Sequence, residues 1–358
     1  MQALAHSGHS VALVSSQIHS SPMWLFLSPF ASLVLASLFA ASFVLSLYVW
    51  RAALQANRDD PAVIKQRITS TLVLCGMACA AVSILEWQPP AAALSELGVG
   101  PSLSTWLGFP SHSYPSALFA PPLLTASLFL GPLVVLLLEV VDEAAQNEQS
   151  LLAVVVGRIG SYAAAECRWQ SARNLIAAPL AEEILFRGVV LAILVAGGFG
   201  FTACVLLSPC LFGMAHLHHL LSHVRARGVS VPQAVLMVSF QLCYTTLFGS
   251  YAAAVYLRTG HLTGVILAHA FCNLMGFPEL RFMNPRHRLH PKRSAIILAF
   301  VAGIVIFSVS FVPLTDDRWL YAQGGEQGEK LGQYTGSWLR HYQSMQQSGV
   351  MDKYSPAI

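Results

Sequence analysis

Long apolar runs dominate the chain, each closed by a short polar stretch or by prolines and glycines. Runs of about 20 apolar residues, the length an α-helix needs to cross a bilayer, fall at 23–50, 69–87, 115–140, 175–197, 199–222, 235–257, 262–276 and 295–313. The pattern predicts an all-α polytopic membrane helix bundle of about eight transmembrane helices, the seventh short. Between the second and third runs, 88–114 is punctuated by Pro89, Pro90, Gly98, Gly100, Pro101 and Pro110. It predicts a luminal turn with an interfacial segment around Leu103 to Phe109, where Trp106 sits at headgroup level. Residues 141–172 contain L-L-A-V-V-V-G-R-I-G, a short amphipathic helix on the cytosolic surface. From Leu314 to Ile358 the chain turns polar and glycine-rich, which predicts a loosely helical or partly disordered tail. The expected division is one integral-membrane domain over 1–313 and a polar tail over 314–358.

Charge orients this bundle. Arg51, Arg58, Lys65 and Arg67 follow the first run, Arg158, Arg168 and Arg173 precede the fourth, and Arg225 and Arg227 separate the fifth from the sixth. Arg281, Arg286, Arg288, Lys292 and Arg293 follow the seventh, whereas 88–114 has no Lys or Arg. By the positive-inside rule the four basic loops face the cytosol and both termini lie on the far side. Arg258 and the four basic residues of the tail are the exceptions. Residues 1–22 carry no Lys or Arg, and the run after them is too long for a signal-peptide core, so a retained first span is expected.

Composition narrows the class. With 55% hydrophobic and 10% charged residues and a mean hydropathy of +0.59, the chain is too apolar for an ordinary soluble domain. A net charge of +3 is too small to call for a nucleic-acid partner. The seven cysteines include no C-x-x-C pair; they read as small buried hydrophobes, not as a disulfide framework or a zinc site.

Candidate chemistry enters where the apolar pattern is broken. The segment R-N-L-I-A-A-P-L-A-E-E-I-L-F-R-G-V-V-L, from Arg173 to Leu191, drives Glu182, Glu183 and Arg187 into an apolar helix. Ionisable groups inside a membrane segment are costly unless paired or hydrated, and by default they mark a functional site facing the bundle interior. Glu183 and Arg187 are four apart and share a helix face, while Glu182 points about 100° away. Glu183 therefore has a counter-ion on its own helix and Glu182 does not. The plain alternative is an ion pair that pins two helices together.

Further polar groups fall at matching depth. L-F-G-M-A-H-L-H-H puts Phe212 and His216 one turn apart, and V-I-L-A-H-A-F-C-N puts His269 and Asn273 on one face. Glu182 lies roughly 10 Å in from the cytosolic end of its helix at about 1.5 Å per residue, and His216, His269 and Asn273 reach a similar depth from the same side. The set reads as a hydrolase. Glu182 is the candidate general base, with His216 orienting the same water, and His269 and Asn273 are donors for an oxyanion. Glu183 and Arg187 hold the site in position. His216, His218, His219 and His223 have spacings at which imidazoles bind zinc, but H-E-x-x-H is absent, and no metal or other cofactor is expected. A non-catalytic scaffold would need none of His216, His269 or Asn273. A proton-coupled transporter would need charges through the far half of the bundle, which has almost none.

These residues carry a resemblance. A-P-L-A-E-E-I-L-F-R at 178–187, L-F-G-M-A-H-L-H-H at 211–219, Y-T-T-L-F-G-S-Y-A-A-A-V-Y-L-R-T-G-H-L-T-G at 244–264 and L-A-H-A-F-C-N-L-M-G-F-P at 267–278 resemble the type II CAAX prenyl endopeptidases, the Ras-converting-enzyme family of the wider abortive-infection group. The resemblance is strong over 173–278. It implies a metal-independent glutamate protease of the endoplasmic reticulum membrane that releases the last three residues of a prenylated C-a-a-X protein, a small GTPase for example. Its motif glutamates fall on Glu182 and Glu183, its arginine on Arg187, its first catalytic histidine on His216 and its oxyanion pair on His269 and Asn273. Such a substrate calls for a conical cavity open to the cytosol and sideways to lipid, so that membrane lipid and the prenylated protein are the expected partners.

Overall fold

The computed structural model describes residues 27–50, 59–84, 108, 115–165 and 168–316. Among these, all regular structure is helical, and the chain is a polytopic helical membrane protein. The helices are α1 (Pro29–Ser46), α2 (Pro61–Ile84), α3 (Pro115–Leu128), α4 (Leu130–Gln146), α5 (Leu151–Ala165), α6 (168–196), α7 (Phe201–Ala215), α8 (His218–Arg227), α9 (Val231–Thr259), α10 (Leu262–Met275) and α11 (Arg293–Leu314). Among the described residues, four candidate spans are long and apolar enough to cross a membrane, or five if α3 and α4 form one bent span. The predicted eight is not reached on length and composition alone. The turn at 88–114, apart from Gly108, and the tail beyond 316 lie outside the described residues.

The bundle is organised around α6. A helix that is apolar all round has no face to give to solvent and must be wrapped by others. Every residue of α6 from Leu185 to Val195 is buried, because α1, α2, α7 and α10 pack around it. The largest core cluster joins Leu185, Phe186, Val189 and Leu194 of α6 to Phe43 of α1, Cys204 and Phe212 of α7, and Tyr256 of α9. Small residues set the approach of α7 to α9, as expected between membrane helices. A Cβ on Gly213 would meet the Thr246 hydroxyl at 2.6 Å, and one on Gly249 would meet Pro209 at 3.0 Å.

One predicted span is corrected. The apolar run 115–140 is not a single helix: it breaks at Phe129 into α3 and α4, which are bent by 73°, and α4 continues to Gln146. The break has a local cause and a tertiary one. Pro132 has no N–H, and its ring crowds the carbonyl four residues back. Gly131 lies against α11, where a Cβ would meet the Phe300 ring at 2.2 Å. Gly131→Ala must therefore displace Phe300, and it is expected to destabilise the protein by about 1–3 kcal/mol, read as a lower midpoint of thermal unfolding in detergent.

The surface helix predicted within 141–172 is α5. Val154 packs on Val140 and Ala144 of α4, and Arg158 pairs with Glu139 at 3.2 Å and Glu143 at 2.7 Å. The opposite side exposes Leu152, Val156 and Ile159, so the helix is amphipathic. The reading of the cysteines as buried holds for Cys75 and Cys204 but fails for Cys210 and Cys243, which are exposed. In a membrane bundle an apolar position faces either the core or the lipid, and hydropathy does not distinguish the two.

Candidate active site

The site begins in the irregular winding of α6. Its middle is an α-helical piece, Ala178–Glu183, flanked by wider π turns at Arg173–Ala177 and Ile184–Val190. Such turns arise where the regular ladder is interrupted, and they recur at functional sites. The interruption here is written in the sequence as Pro179, which cannot donate to the ladder. In the first π turn the Ala178 N–H reaches back five residues to the Arg173 carbonyl.

The two neighbouring glutamates face different surroundings, as the helical period requires. Glu183 is 0% exposed and Arg187 is 1% exposed. Their ion pair closes at 3.0 Å through Glu183 Oε1. The Arg187 guanidinium also lies 4.9 Å over the Phe212 ring and approaches the Gly249 carbonyl at 3.4 Å. The predicted pair is present, and tertiary structure adds a third member: His269 Nδ1 lies 2.6 Å from the same Oε1 of Glu183. Glu183 thus ties α6 to α10. Glu182 instead borders a cavity of about 630 Å³, which His216, His269, Asn273 and Phe212 also line. The cavity brings together all four residues singled out as catalytic.

Their hydrogen bonds define what each has left to offer. His216 caps the end of α7, and its Nδ1 lies 3.0 Å from the Phe212 carbonyl. A carbonyl only accepts, so Nδ1 carries the proton and Nε2 of the neutral ring is an acceptor. The Phe212 ring meets His216 edge to face at 4.9 Å, which holds the imidazole in place. His269 Nε2 lies 3.8 Å from Glu182 Oε2, so His269 stands between the two carboxylates. Asn273 donates from Nδ2 to the Asn174 carbonyl at 2.9 Å, which leaves its second N–H for another acceptor.

Several lining residues escape a reading of ionisable groups alone. Asn174 of α6, Gln241, Tyr244, Phe248 and Tyr251 of α9, Phe129 at the α3–α4 break and Phe277 just beyond α10 all border the cavity. Tyr251 donates to the Pro121 carbonyl at 3.0 Å and lies 2.9 Å from the Thr125 hydroxyl. A polar residue inside the apolar run of α9 was the available signal for Gln241. Tyr and Phe there are indistinguishable from ordinary core or lipid-facing residues until the fold is known. Of the histidine-rich turn, the His218 and His219 rings lie 4.1 Å apart by centroid and those of His216 and His219 5.8 Å apart. Among the described residues no three His, Cys, Asp or Glu side chains converge as a metal-holding group.

Comparison with known proteins bears on the chain as a whole. The family described as Type II CAAX prenyl endopeptidase Rce1-like matches residues 164–275, the stretch that holds α6 to α10. The chain is 38% identical over 279 residues to human CAAX prenyl protease 2, covering 78% of this chain and 79% of that protein. It is 34% identical over 279 residues to the rat CAAX prenyl protease 2, with 78% of each covered. A probable CAAX prenyl protease 2 of Schizosaccharomyces pombe is 34% identical over 245 residues, covering 68% of this chain and 79% of that protein. No solved structure matches.

Proposed function

Since the chain belongs to the type II CAAX prenyl endopeptidase family, we propose that it cuts prenylated C-a-a-X proteins after the modified cysteine and releases the last three residues by direct attack of an activated water. The observation that carries this reading is the meeting of Glu182, His216, His269 and Asn273 on the wall of one cavity. Glu182 takes a proton from water while His216 Nε2 accepts the second hydrogen bond of the same molecule. The water oxygen attacks the scissile carbonyl carbon. The negative charge that forms on the carbonyl oxygen is met by the free N–H of Asn273 and by His269 Nε2. Donation from Nε2 requires the ring's second proton, and Glu182, 3.8 Å away, is placed to hand it over. Collapse of the intermediate breaks the C–N bond, and the departing amine recovers a proton from this relay. Each step is assigned to side chains of this chain, and the reading is metal-independent. It also sets the protein in the endoplasmic reticulum membrane with the cavity facing the cytosol, as the basic loops predict.

The cavity has an apolar side suited to a lipid-bearing substrate. Phe240 and Tyr244 of α9 and Phe277 lie ring to ring, with centroids 5.0–6.1 Å apart. Tyr244 and Phe277 border the cavity, and all three rings are exposed on the outer surface of the protein. An isoprenoid arriving from the bilayer meets this wall first, and burial of its carbons helps to hold the flexible peptide against the catalytic groups. Phe277→Ala is expected to raise KM for a farnesylated peptide about tenfold, the loss of roughly 1.4 kcal/mol of apolar contact, with kcat little changed.

The test of the function is cleavage of a farnesylated C-a-a-X peptide by purified protein in liposomes, with and without a strong chelator. Release of the tripeptide, unaffected by chelation, is the expected result. Loss on chelation that zinc restores would transfer the chemistry to a metal held by the histidine-rich turn. Failure of the folded protein to cleave any of several prenylated peptides would leave it a scaffold.

A further inference from the structure

We infer that Pro179 is a positioning residue, acting through the Asn174 carbonyl to orient Asn273; the inference rests on Asn273 serving as an oxyanion donor. The argument starts from the backbone ladder. A helical carbonyl is ordinarily closed by the N–H four residues on, or five in a π turn. For Asn174 those donors are Ala178 and Pro179. The Ala178 N–H is directed to the Arg173 carbonyl, and Pro179 has no N–H at all. The Asn174 carbonyl is therefore freed from the ladder, on a wall of the catalytic cavity. A carbonyl released from the ladder still needs a donor, and it finds Nδ2 of Asn273, 2.9 Å away on α10 at the exposed rim of the cavity.

The bond decides which way the Asn273 amide faces. One N–H is engaged by α6, so the second N–H and the carbonyl oxygen are held in a defined plane at the cavity wall, where a free amide would rotate. Arg173 steadies the same turn from the other side. It donates from Nε to the Asn174 side-chain oxygen at 3.0 Å and pairs with Asp59 beside α2 at 2.9 Å. The proline three residues before Glu182 thus has two consequences. It opens the winding of α6, and it presents a backbone acceptor to the residue proposed to stabilise the oxyanion.

The experiment is a double-mutant cycle on the full chain in liposomes with a farnesylated C-a-a-X peptide, comparing wild type, Pro179→Ala, Asn273→Ala and the double variant. Asn273→Ala is expected to lower kcat about 10²–10³-fold. Pro179→Ala, which restores an N–H and lets the ladder reclaim the Asn174 carbonyl, is expected to lower kcat about 10- to 100-fold with KM nearly unchanged. In the Asn273→Ala background Pro179→Ala should then cost almost nothing further. A variant that only misplaced Glu182 would instead multiply with Asn273→Ala, and that outcome, or full activity of Pro179→Ala, overturns the inference. The same cycle read by thermal unfolding does not depend on catalysis. The Tm losses of the two single changes should not add in the double variant, and additive losses overturn the inference whether or not any peptide is cleaved. Wild-type activity of Asn273→Ala would count against the oxyanion role, whereas the unfolding cycle would still decide the contact.

Discussion

Glu182→Gln is expected to lower kcat by about 10²–10⁴-fold, the range over which a positioned general base accelerates proton transfer, while leaving the protein folded. The expectation follows from where the side chain sits. Glu182 borders the cavity, and among the described residues its ion-pair partner is His269 Nε2, at 3.8 Å, too far for a close hydrogen bond that a glutamine would break. Glutamine keeps the shape and loses the proton acceptor. The check is tripeptide release from a farnesylated substrate at saturating concentration, with size-exclusion and unfolding profiles matched to wild type. A variant that retains more than about one tenth of the wild-type kcat would remove Glu182 from the role of base.

The neighbouring carboxylate should behave in the opposite way. Arg187→Ala leaves Glu183 buried beside His269 with its cation gone, and breaking a buried pair from one side costs about 3–5 kcal/mol. Glu183 Oε2 already has no partner among the described residues, so the stranded carboxylate is left with the imidazole of His269 at Oε1 and no full cation beside it. The stacked contact of the guanidinium with Phe212, at 4.9 Å, is lost as well. The result is read as a fall in the thermal midpoint in detergent and in yield from membranes. Arg187→Lys should recover little of it, because an ammonium cannot hold Glu183 while reaching toward Gly249 and covering an aromatic ring. Glu183→Gln in the Arg187→Ala background should recover part of it by removing the stranded charge. Stability within about 1 kcal/mol of wild type would show that the pair is not what joins α6 to its neighbours.

Much of the fold was legible because a membrane imposes a strong rule. Apolar runs long enough to satisfy their own backbone inside lipid have to be helices, and α1, α9 and α11 fall where the runs predict. The α3–α4 break was not legible from hydropathy, since Gly131 and Pro132 sit in a stretch that is apolar throughout. It becomes intelligible once Phe300 of α11 is seen against Gly131. The cysteines failed for the same reason: Cys210 and Cys243 are as apolar as Cys75 and Cys204, yet they face outward. At the site, spacing along a helix placed Glu183 with Arg187 and set Glu182 apart, and both assignments rest on a period that is local. Depth along the membrane normal brought His216, His269 and Asn273 to the level of Glu182. Depth carries no information about direction around the bundle axis, so the contact of His269 with Glu183, 86 residues apart at 2.6 Å, was out of reach.

By itself, then, the sequence determined that this is a helical membrane protein, that Glu183 and Arg187 share a helix face from which Glu182 points away, and which family it resembles. Those properties depend on transfer from water to lipid, on helical period and on residue identity, all of which act over a few turns of chain. Only the tertiary structure decided that Glu182, His216, His269 and Asn273 share one cavity, that Glu183 serves two helices through a single oxygen, and that the Asn174 carbonyl released by Pro179 is taken up by Asn273. These are relations between separate helices. They depend on how each helix is rotated about its own axis, and that rotation is set by packing: glycines where backbones meet, aromatic rings where they do not, and a buried charge that must find its partner across the bundle.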